Sequence, residues 1–539
     1  MEGLMKKILF SLLFSLFIGN TATAYEWQWS VKIKGFISEE TNDHPEAFLW
    51  IPSDCDRVRA VVFGQHNMCE ETIFEHPTFR RRMSELGFAV VWITPGFEQR
   101  WDVSNGCRAH FETMMNDLAE VSGYSELKDV PVVPVGHSAM ATFPWNFAAW
   151  NPDRTLAVLS YHGDAPRTNL TGYGRDNIEW GRTRNIDGIP GLMIQGEYEW
   201  WEARVNPALA FRMMYPESCI SFLCDAGHGH FDVSDEVVDY ICLFLRKTAE
   251  YRLTDNSEKL RRVNVRKGWL AERWHPDEKE RVEPAPFTEY KGDPHDAFWY
   301  FDEETAVETE KYYARTRGKK NRYIGIMQEG IPLPFNKDSH SQYNISFKPQ
   351  SDGITFSLSA FFADSLRRYP AGECPPQGKI HIDRINGPIG KVNDTTFRVQ
   401  FYRMGLNNKK RTGDSWLAAH HEGDDSYKSA VQQINIKIPY PQKEGKKQRI
   451  TFDPLPNIQS NVKSLSLGAH SDSGLPVCYY VKEGPATVKD NKLEIKKIPP
   501  RSKYPVKVTV MAWQYGRNTG EKVQTAEPVE RSFYIENNK

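Results

Sequence analysis

The chain has 539 residues, 40% of them hydrophobic, and a formal charge of −2 from 68 Lys and Arg against 70 Asp and Glu. A length of this order exceeds what one hydrophobic core organises, so roughly two to four domains are expected. The balanced charge, with no basic run or stripe, gives no electrostatic case for nucleic acid as a partner, and no solenoid-type repeat stands out.

The first element is a targeting segment. Lys6 and Lys7 precede the apolar run "ILFSLLFSLFIG", and "NTATA" then places Ala22 and Ala24 at small-residue positions. This order reads as a secretory signal over residues 1–24, cleaved after Ala24, which implies a secreted or periplasmic location. The run is short for a membrane span. No cysteine follows the cleavage point to carry a lipid, and no later stretch is long and apolar enough to cross a bilayer. No membrane association is expected once the signal is removed. Export permits disulfides. The cysteines are Cys55, Cys69, Cys107, Cys219, Cys224, Cys242, Cys374 and Cys478. They show no zinc-type C-x-x-C spacing, so neither bridges nor a metal cluster is assigned, and nothing calls for a cofactor.

From residue 25 to 252 strand-like and helix-like segments alternate. "EAFLWIP", "RAVVFGQH", "FAVVWITP", "VPVVPV", "TLAVLSYHG", "PGLMIQGE" and "CISFLCDAG" read as strands; "TFRRRMSELG", "HFETMMNDLAEVSG", "FPWNFAAW" and "DEVVDYICLFLRKTAE" read as helices. Continuous apolar strands separated by helices predict a mostly parallel sheet buried on both faces. Pro134 resists that pattern, because proline cannot donate within a central strand, and it calls for a bulge. Residues 253–335 are charged and proline-punctuated and read as a connecting subdomain. From 336 the texture becomes all-β. Short alternating strands divided by Gly, Pro, Asn and Asp predict β-sandwich modules over 336–456 and 457–539.

The chemistry concentrates at "VVPVGHSAMATF", residues 132–143. A strand running into Gly-x-Ser-x-small and then a helix suits a nucleophile elbow, where bulky neighbours would collide in the tight turn. Gly136 and Ala139 fit; Met140 stands where glycine is usual, with Ala141 beyond it. At a helix start Ser138 would lie near the positive helix end, and the Ala139 N–H would face a developing oxyanion. The bland alternative is a serine that caps a helix.

Two strand ends further on carry the partners such a serine needs. "GEYEWWE" offers Glu197 and Glu199, and "DAGHGHFDVSDE" offers His228 and His230. Histidine titrates near working pH and can accept the serine proton and return it; a carboxylate fixes its tautomer and steadies the imidazolium. Asp164 is a reserve acid. Asp232 and Ser234 read as caps of the following helix, and His137 as a turn residue.

Residues 25–252 resemble an α/β-hydrolase, from "RAVVFGQHNM" through "GHSAM" and "GEYE" to "AGHGHFD". The resemblance implies a triad in the order serine, acid, histidine. Glycine plus three favours Glu199 over Glu197, and "G-x-G-H-F" favours His230 over His228. It also implies a second oxyanion donor in "GQHNMCEE", the N–H of Asn67 or Met68. Around these motifs Trp101, Trp145, Tyr173, Trp180, Trp200 and Trp201 offer faces for sugar rings, and Arg100, Arg175, Arg182 and Arg204 could pair with a uronate carboxylate. Trp200, Trp201, Trp101 and Arg100 are the substrate contacts expected from these.

The general organisation, exported with β modules appended and one of them similar to bacterial immunoglobulin-like modules, resembles bacterial carbohydrate esterases. A serine esterase acting on an acetyl, feruloyl, methyl or glucuronoyl ester of a plant-type glycan is the expectation. A prolyl-oligopeptidase-type peptidase would carry its extra mass before the hydrolase, whereas this chain carries it after. A non-catalytic glycan-binding protein with a degenerate hydrolase fold draws its support from Met140. A metal hydrolase using His228 and His230 lacks a carboxylate–histidine set at ligand spacing.

Overall fold

Runs of Val, Ile, Phe and Trp build the centre of the first domain. The computed structural model describes residues 25–167, 177–181, 185–199, 201–254, 259–275, 281–368 and 378–538; the leader expected at residues 1–24 lies outside them. Eight strands form one sheet: β1 (Trp29–Lys32), β2 (Glu46–Trp50), β3 (Ala60–Gln65), β4 (Phe88–Thr94), β5 (Val132–His137), β6 (Val158–Tyr161), β7 (Pro190–Gly196) and β8 (Cys219–Asp225). Their order is β1-β2-β4-β3-β5-β6-β7-β8. Only β2 runs against its neighbours; β3 to β8 are mutually parallel. Every residue of β3 to β8 is buried, as a parallel sheet covered on both faces requires.

Alternate residues of β3 and β4 enter two separate cores. Val61, Phe63, Val91 and Ile93 join the helix Cys107–Ser122 through Phe111, Met115 and Leu118. Val62, Val90 and Trp92 share the other core with Phe79 and Met83 of Pro77–Leu86 and with Val238, Ile241 and Leu245 of Asp235–Arg252.

Pro134 needs no bulge: β5 keeps an unbroken register with β3 from Val61↔Val132 to Gly64↔Val135. Val132 exchanges ladder bonds with Arg154 and Leu156, which turns the Pro134 nitrogen toward the Leu156 carbonyl. The missing N–H is replaced by Arg252, buried, whose Nη1 donates to Leu156 O at 2.8 Å.

Beyond Arg252 a three-stranded sheet (Ala285–Pro286, Trp269–Glu272, Ala297–Tyr300) and the helix Glu303–Ala314 extend this core past β8. Ser221 Oγ donates to Trp299 O at 2.6 Å and Tyr300 OH to Phe222 O at 2.7 Å. The strand Tyr323–Gln328 already pairs with Ser359–Ala363, so the β-rich unit takes up the chain before residue 336. That unit surrounds Ile324, Phe356, Phe397, Leu417 and Ile434. The last unit, near 450–538, sets a four-stranded sheet against a three-stranded one around Leu493, Val508 and Phe533. Its Tyr480, Trp513 and Tyr515 belong to the preceding unit's core.

Among the described residues no helix is long and apolar enough to cross a membrane. The seven described cysteines are free; Cys374 lies outside the described residues.

Candidate active site

Three strand ends converge. β5 ends at His137, and Ser138 follows with φ +52°, a left-handed conformation rare for a residue with a side chain. Such a conformation costs on the order of 1–3 kcal/mol and persists where its surroundings enforce it. The enforcement is close packing. A Cβ on Gly136 would lie 1.9 Å from Met140 O, and one on Gly163 would lie 1.8 Å from Ala141 Cβ. Met140 itself is accommodated by Gly96, where a Cβ would meet its Cε at 2.4 Å. The glycine that the usual motif has at position 140 is thus replaced by room provided across the loop after β4.

His230, after β8, holds Nε2 2.7 Å from Ser138 Oγ and directs Nδ1 at Glu199 Oε2. Glu199, after β7, places its other oxygen 2.7 Å from His162 Nδ1 and 3.1 Å from the Gly196 N–H that donates to it. Arg204 Nη1 adds a 3.4 Å contact to Glu199 and donates to His162 O at 2.8 Å. With Nδ1–H turned to the carboxylate, Nε2 is the acceptor for the serine proton. Gly196 lets the acid and base loops touch, since a Cβ there would lie 2.5 Å from Gly229 O. Burial opposes ionisation of Glu199, but His230 and His162 overcome it and hold the carboxyl well below its usual range. Burial lowers the His230 pKa, against the pull of Glu199.

The competing residues are engaged elsewhere. Glu197 accepts the Gly227 N–H at 2.8 Å and pairs with Lys428 at 2.7 Å. His228 Nδ1 lies 2.6 Å from Asp232 Oδ2 and its Nε2 4.0 Å from Asp225. Burial alone would lower its pKa; Asp225 and Asp232 more than offset this and hold it at about 10, so His228 is a cation rather than a base. Asp232 is therefore the counter-ion of His228, and Ser234 caps the last helix by accepting the Val237 N–H. Asp164 is buried beside Arg204, at 3.9 Å. His137 Nε2 lies 2.9 Å from His230 O, fixing the base loop, and its ring is held neutral by burial and by the neighbouring His230 and His162.

The oxyanion expectation changes. The Asn67 and Met68 N–H groups both donate to Glu70 Oε2, at 3.1 and 2.9 Å, and are not free for a substrate oxygen. Glu70 Oε1 accepts the His137 N–H at 2.8 Å. This carboxyl sits beneath the elbow and ties the loop after β3 to the end of β5. Burial raises its pKa to about 7 despite the backbone donors. Ala139 remains as a donor, in the first turn of Ser138–Met140, where helix geometry leaves amides without intrahelical acceptors.

Three of the expected sugar contacts, Trp101, Trp145 and Trp180, are buried. Trp101 is 1% exposed and packs among Phe97, Phe111 and Phe147. Trp145 donates to Asp164 O and Trp180 to Asn146 Oδ1 from buried positions. Arg100 lies 3.9 Å from Asp102. Tyr173, Arg175, Arg182 and Trp200 fall outside the described residues; Trp201 opens the helix Trp201–Met214.

Among the described residues, two sets of side chains bring ligand-type atoms within 4.8 Å of one another: His162, Glu199 and His230, and His162, Asp225 and Asp232. The first is the triad with its neighbour. In the second, Asp225 accepts from Tyr312 OH and Asp232 pairs with His228. Glu70 and His162 were missed by sequence reasoning. Glu70 sits in the quoted "GQHNMCEE", and His162 stands at the end of β6, the strand next to the acid's.

The strand order with β2 reversed, the elbow after β5, the acid after β7 and the histidine after β8 define an α/β-hydrolase fold. No protein-family model matches the chain, and no curated protein matches it by sequence. Among solved structures it is similar to S-formylglutathione hydrolase (FrmB) from Staphylococcus aureus, with 10% identity and TM-score 0.30 over 42% of this chain and 99% of that one. It is also similar to an S-formylglutathione hydrolase from Agrobacterium tumefaciens, with 15% identity and TM-score 0.30 over 43% and 98% of the two chains. An esterase from Pyrobaculum calidifontis matches with 14% identity and TM-score 0.31 over 46% and 93%.

Proposed function

We propose that the protein is an exported serine esterase that hydrolyses an ester on a plant-type glycan. The observation that carries the hydrolase reading is the 2.7 Å approach of Ser138 Oγ to His230 Nε2, with Glu199 behind the ring. Ser138 attacks the ester carbonyl carbon while its proton passes to His230 Nε2. The carbonyl oxygen gains the negative charge and faces the Ala139 N–H. The tetrahedral species collapses, and His230 returns the proton to the departing alkoxide, which leaves as the alcohol. Water, deprotonated by the same imidazole, then releases the acid from the acyl-serine.

The room that Gly96 makes for Met140 removes the main support for a degenerate, non-catalytic fold. A leader-like amino terminus and two appended β units support the exported, glycan-directed part of the reading.

The test is turnover of p-nitrophenyl acetate and of acetylated, feruloylated and methyl-esterified glycans, with a peptide substrate beside them. Ser138→Ala is expected to lower kcat by roughly 10⁴-fold or more, and a fluorophosphonate is expected to add to Ser138 by mass. Unchanged turnover by the variant overturns the nucleophile. Cleavage of the peptide but not the esters moves the reading to a peptidase.

A further inference from the structure

The β-rich unit of residues 323–438 does not hang from the hydrolase domain; it sits over the carboxyl ends of β3, β7 and β8. Asn386 Nδ2 and Arg411 Nη1 donate to Asn67 O at 3.2 and 2.7 Å, gripping the loop after β3. Lys428 pairs with Glu197 after β7, and Ser429 Oγ donates to Ala226 O, after β8, at 3.2 Å. Ile385, Tyr402, Met404 and Ala418 belong to the hydrolase domain's own core.

This seating brings two rings of the β unit to the catalytic histidine. The His340 ring centroid is 6.2 Å from that of His230 and 4.8 Å from that of Phe231, edge to face. The Trp416 centroid is 4.8 Å from Phe231 and 5.9 Å from His340, with the two planes at 78°. Phe231 is buried beneath them, Trp416 is half-buried and His340 is exposed. Both are held from behind: Gln433 Nε2 donates to His340 O at 2.8 Å and Trp416 Nε1 to Asp414 Oδ2 at 3.0 Å.

We propose that His340 and Trp416 form a sugar subsite beside the triad, so that the β unit supplies part of the substrate-binding surface. This rests on the glycan-ester reading above. Two perpendicular rings make a corner, not a stack. An indole face covers the apolar C–H face of a pyranose, and an imidazole edge offers a nitrogen to a ring hydroxyl. Partial burial and the nearby His230 lower the His340 pKa, which favours the neutral ring, with one nitrogen to donate and the other to accept. The shared core and the buried Lys428–Glu197 pair fix the corner before substrate arrives, which lowers the entropic cost of binding. Trp101, Trp145 and Trp180 are core residues, and the aromatic surface beside His230 comes from a loop and a strand of the β unit.

The experiment uses the full chain carrying Ser138→Ala, so that binding is read without turnover. An acetylated xylo-oligosaccharide is titrated by calorimetry into this variant and into the same chain with H340A or W416A added. His340 is exposed, so H340A keeps the test valid if W416A loses stability. A rise in Kd of about 10-fold or more is expected for H340A, and for W416A where that chain stays folded, and on the Ser138 enzyme the same changes are expected to raise KM for the oligosaccharide more than for p-nitrophenyl acetate. No binding by the parent, or equal binding by parent and H340A, overturns the subsite. Failure of the esterase reading itself is read separately, from Ser138→Ala on p-nitrophenyl acetate.

Discussion

The two carboxyl-terminal β units meet the hydrolase domain in opposite ways. The first, residues 323–438, inserts apolar side chains into the hydrolase core and buries charged groups against the loops that carry the triad. The last touches the edge strand β1 and the end of the helix Cys107–Ser122 through polar groups. Ser30 Oγ donates to Glu483 Oε2 at 2.7 Å, Lys482 lies 3.1 Å from Glu46, and Lys503 N donates to Ser122 O at 2.9 Å. Glu483 and Ser122 are buried in these contacts, but the contacts bear on β1 and a helix end and not on the loops that carry the triad. One unit is therefore part of the site's construction, and the other is attached at a distance from it.

Breaking a buried contact of the first unit should have the largest effect. Lys428 and Glu197 are 2% and 8% exposed. Lys428→Met strands a buried carboxylate and is expected to cost about 3–5 kcal/mol in chemical unfolding. Adding Glu197→Gln removes the charge as well and should recover most of that loss; no recovery would mean that packing, not charge, makes the contact.

The next effect is on pH dependence. The folded value of His228, at about 10, stands above the ordinary value of a free imidazole, near 6.5. A raised folded value contributes stability in full below about 6.5, and that contribution is lost as pH rises toward 10. Unfolding midpoints should fall over this window, and His228→Gln should flatten the slope. An unchanged slope would remove His228 from the account.

A smaller effect separates geometry from stability. Arg411→Ala loosens the Asn67 carbonyl, which Asn386 still holds at 3.2 Å. A loss of roughly 10-fold in kcat/KM on p-nitrophenyl acetate, about 1.4 kcal/mol in barrier, is expected with little change in unfolding midpoint. Equal kinetics would show that the first unit does not position the loop after β3.

The sequence carried the alternation of strands and helices, and with it the places where chemistry could sit. Ser138, Glu199 and His230 stand out because each follows a buried strand, and the strand ends of a parallel sheet lie together. The two histidines were separable only in space. His228 reaches Asp232, four residues on, while His230 reaches Glu199 across the sheet. Trp101 shows the reverse problem, since an indole in a loop has the same composition whether it faces solvent or, as here, the core. Pro134 read as a break in β5 because its remedy, Arg252, lies more than a hundred residues away. Glu70 was hidden for a similar reason: a glutamate at a helix start reads as a surface charge until the elbow of β5 closes over it.

The smallest effect tests the last unit. Lys497 pairs with Asp54 on the surface, with side chains 64% and 79% exposed. Pairs of this kind gain little, because water already solvates both charges and salt screens them. Lys497→Ala is expected to leave kcat/KM on p-nitrophenyl acetate and the unfolding midpoint of the hydrolase domain within measurement error, at low salt and at high. A clear loss in either would place the last unit in the same structural role as the first. The contrast between a buried, site-building contact and an exposed, tethering one would then no longer hold.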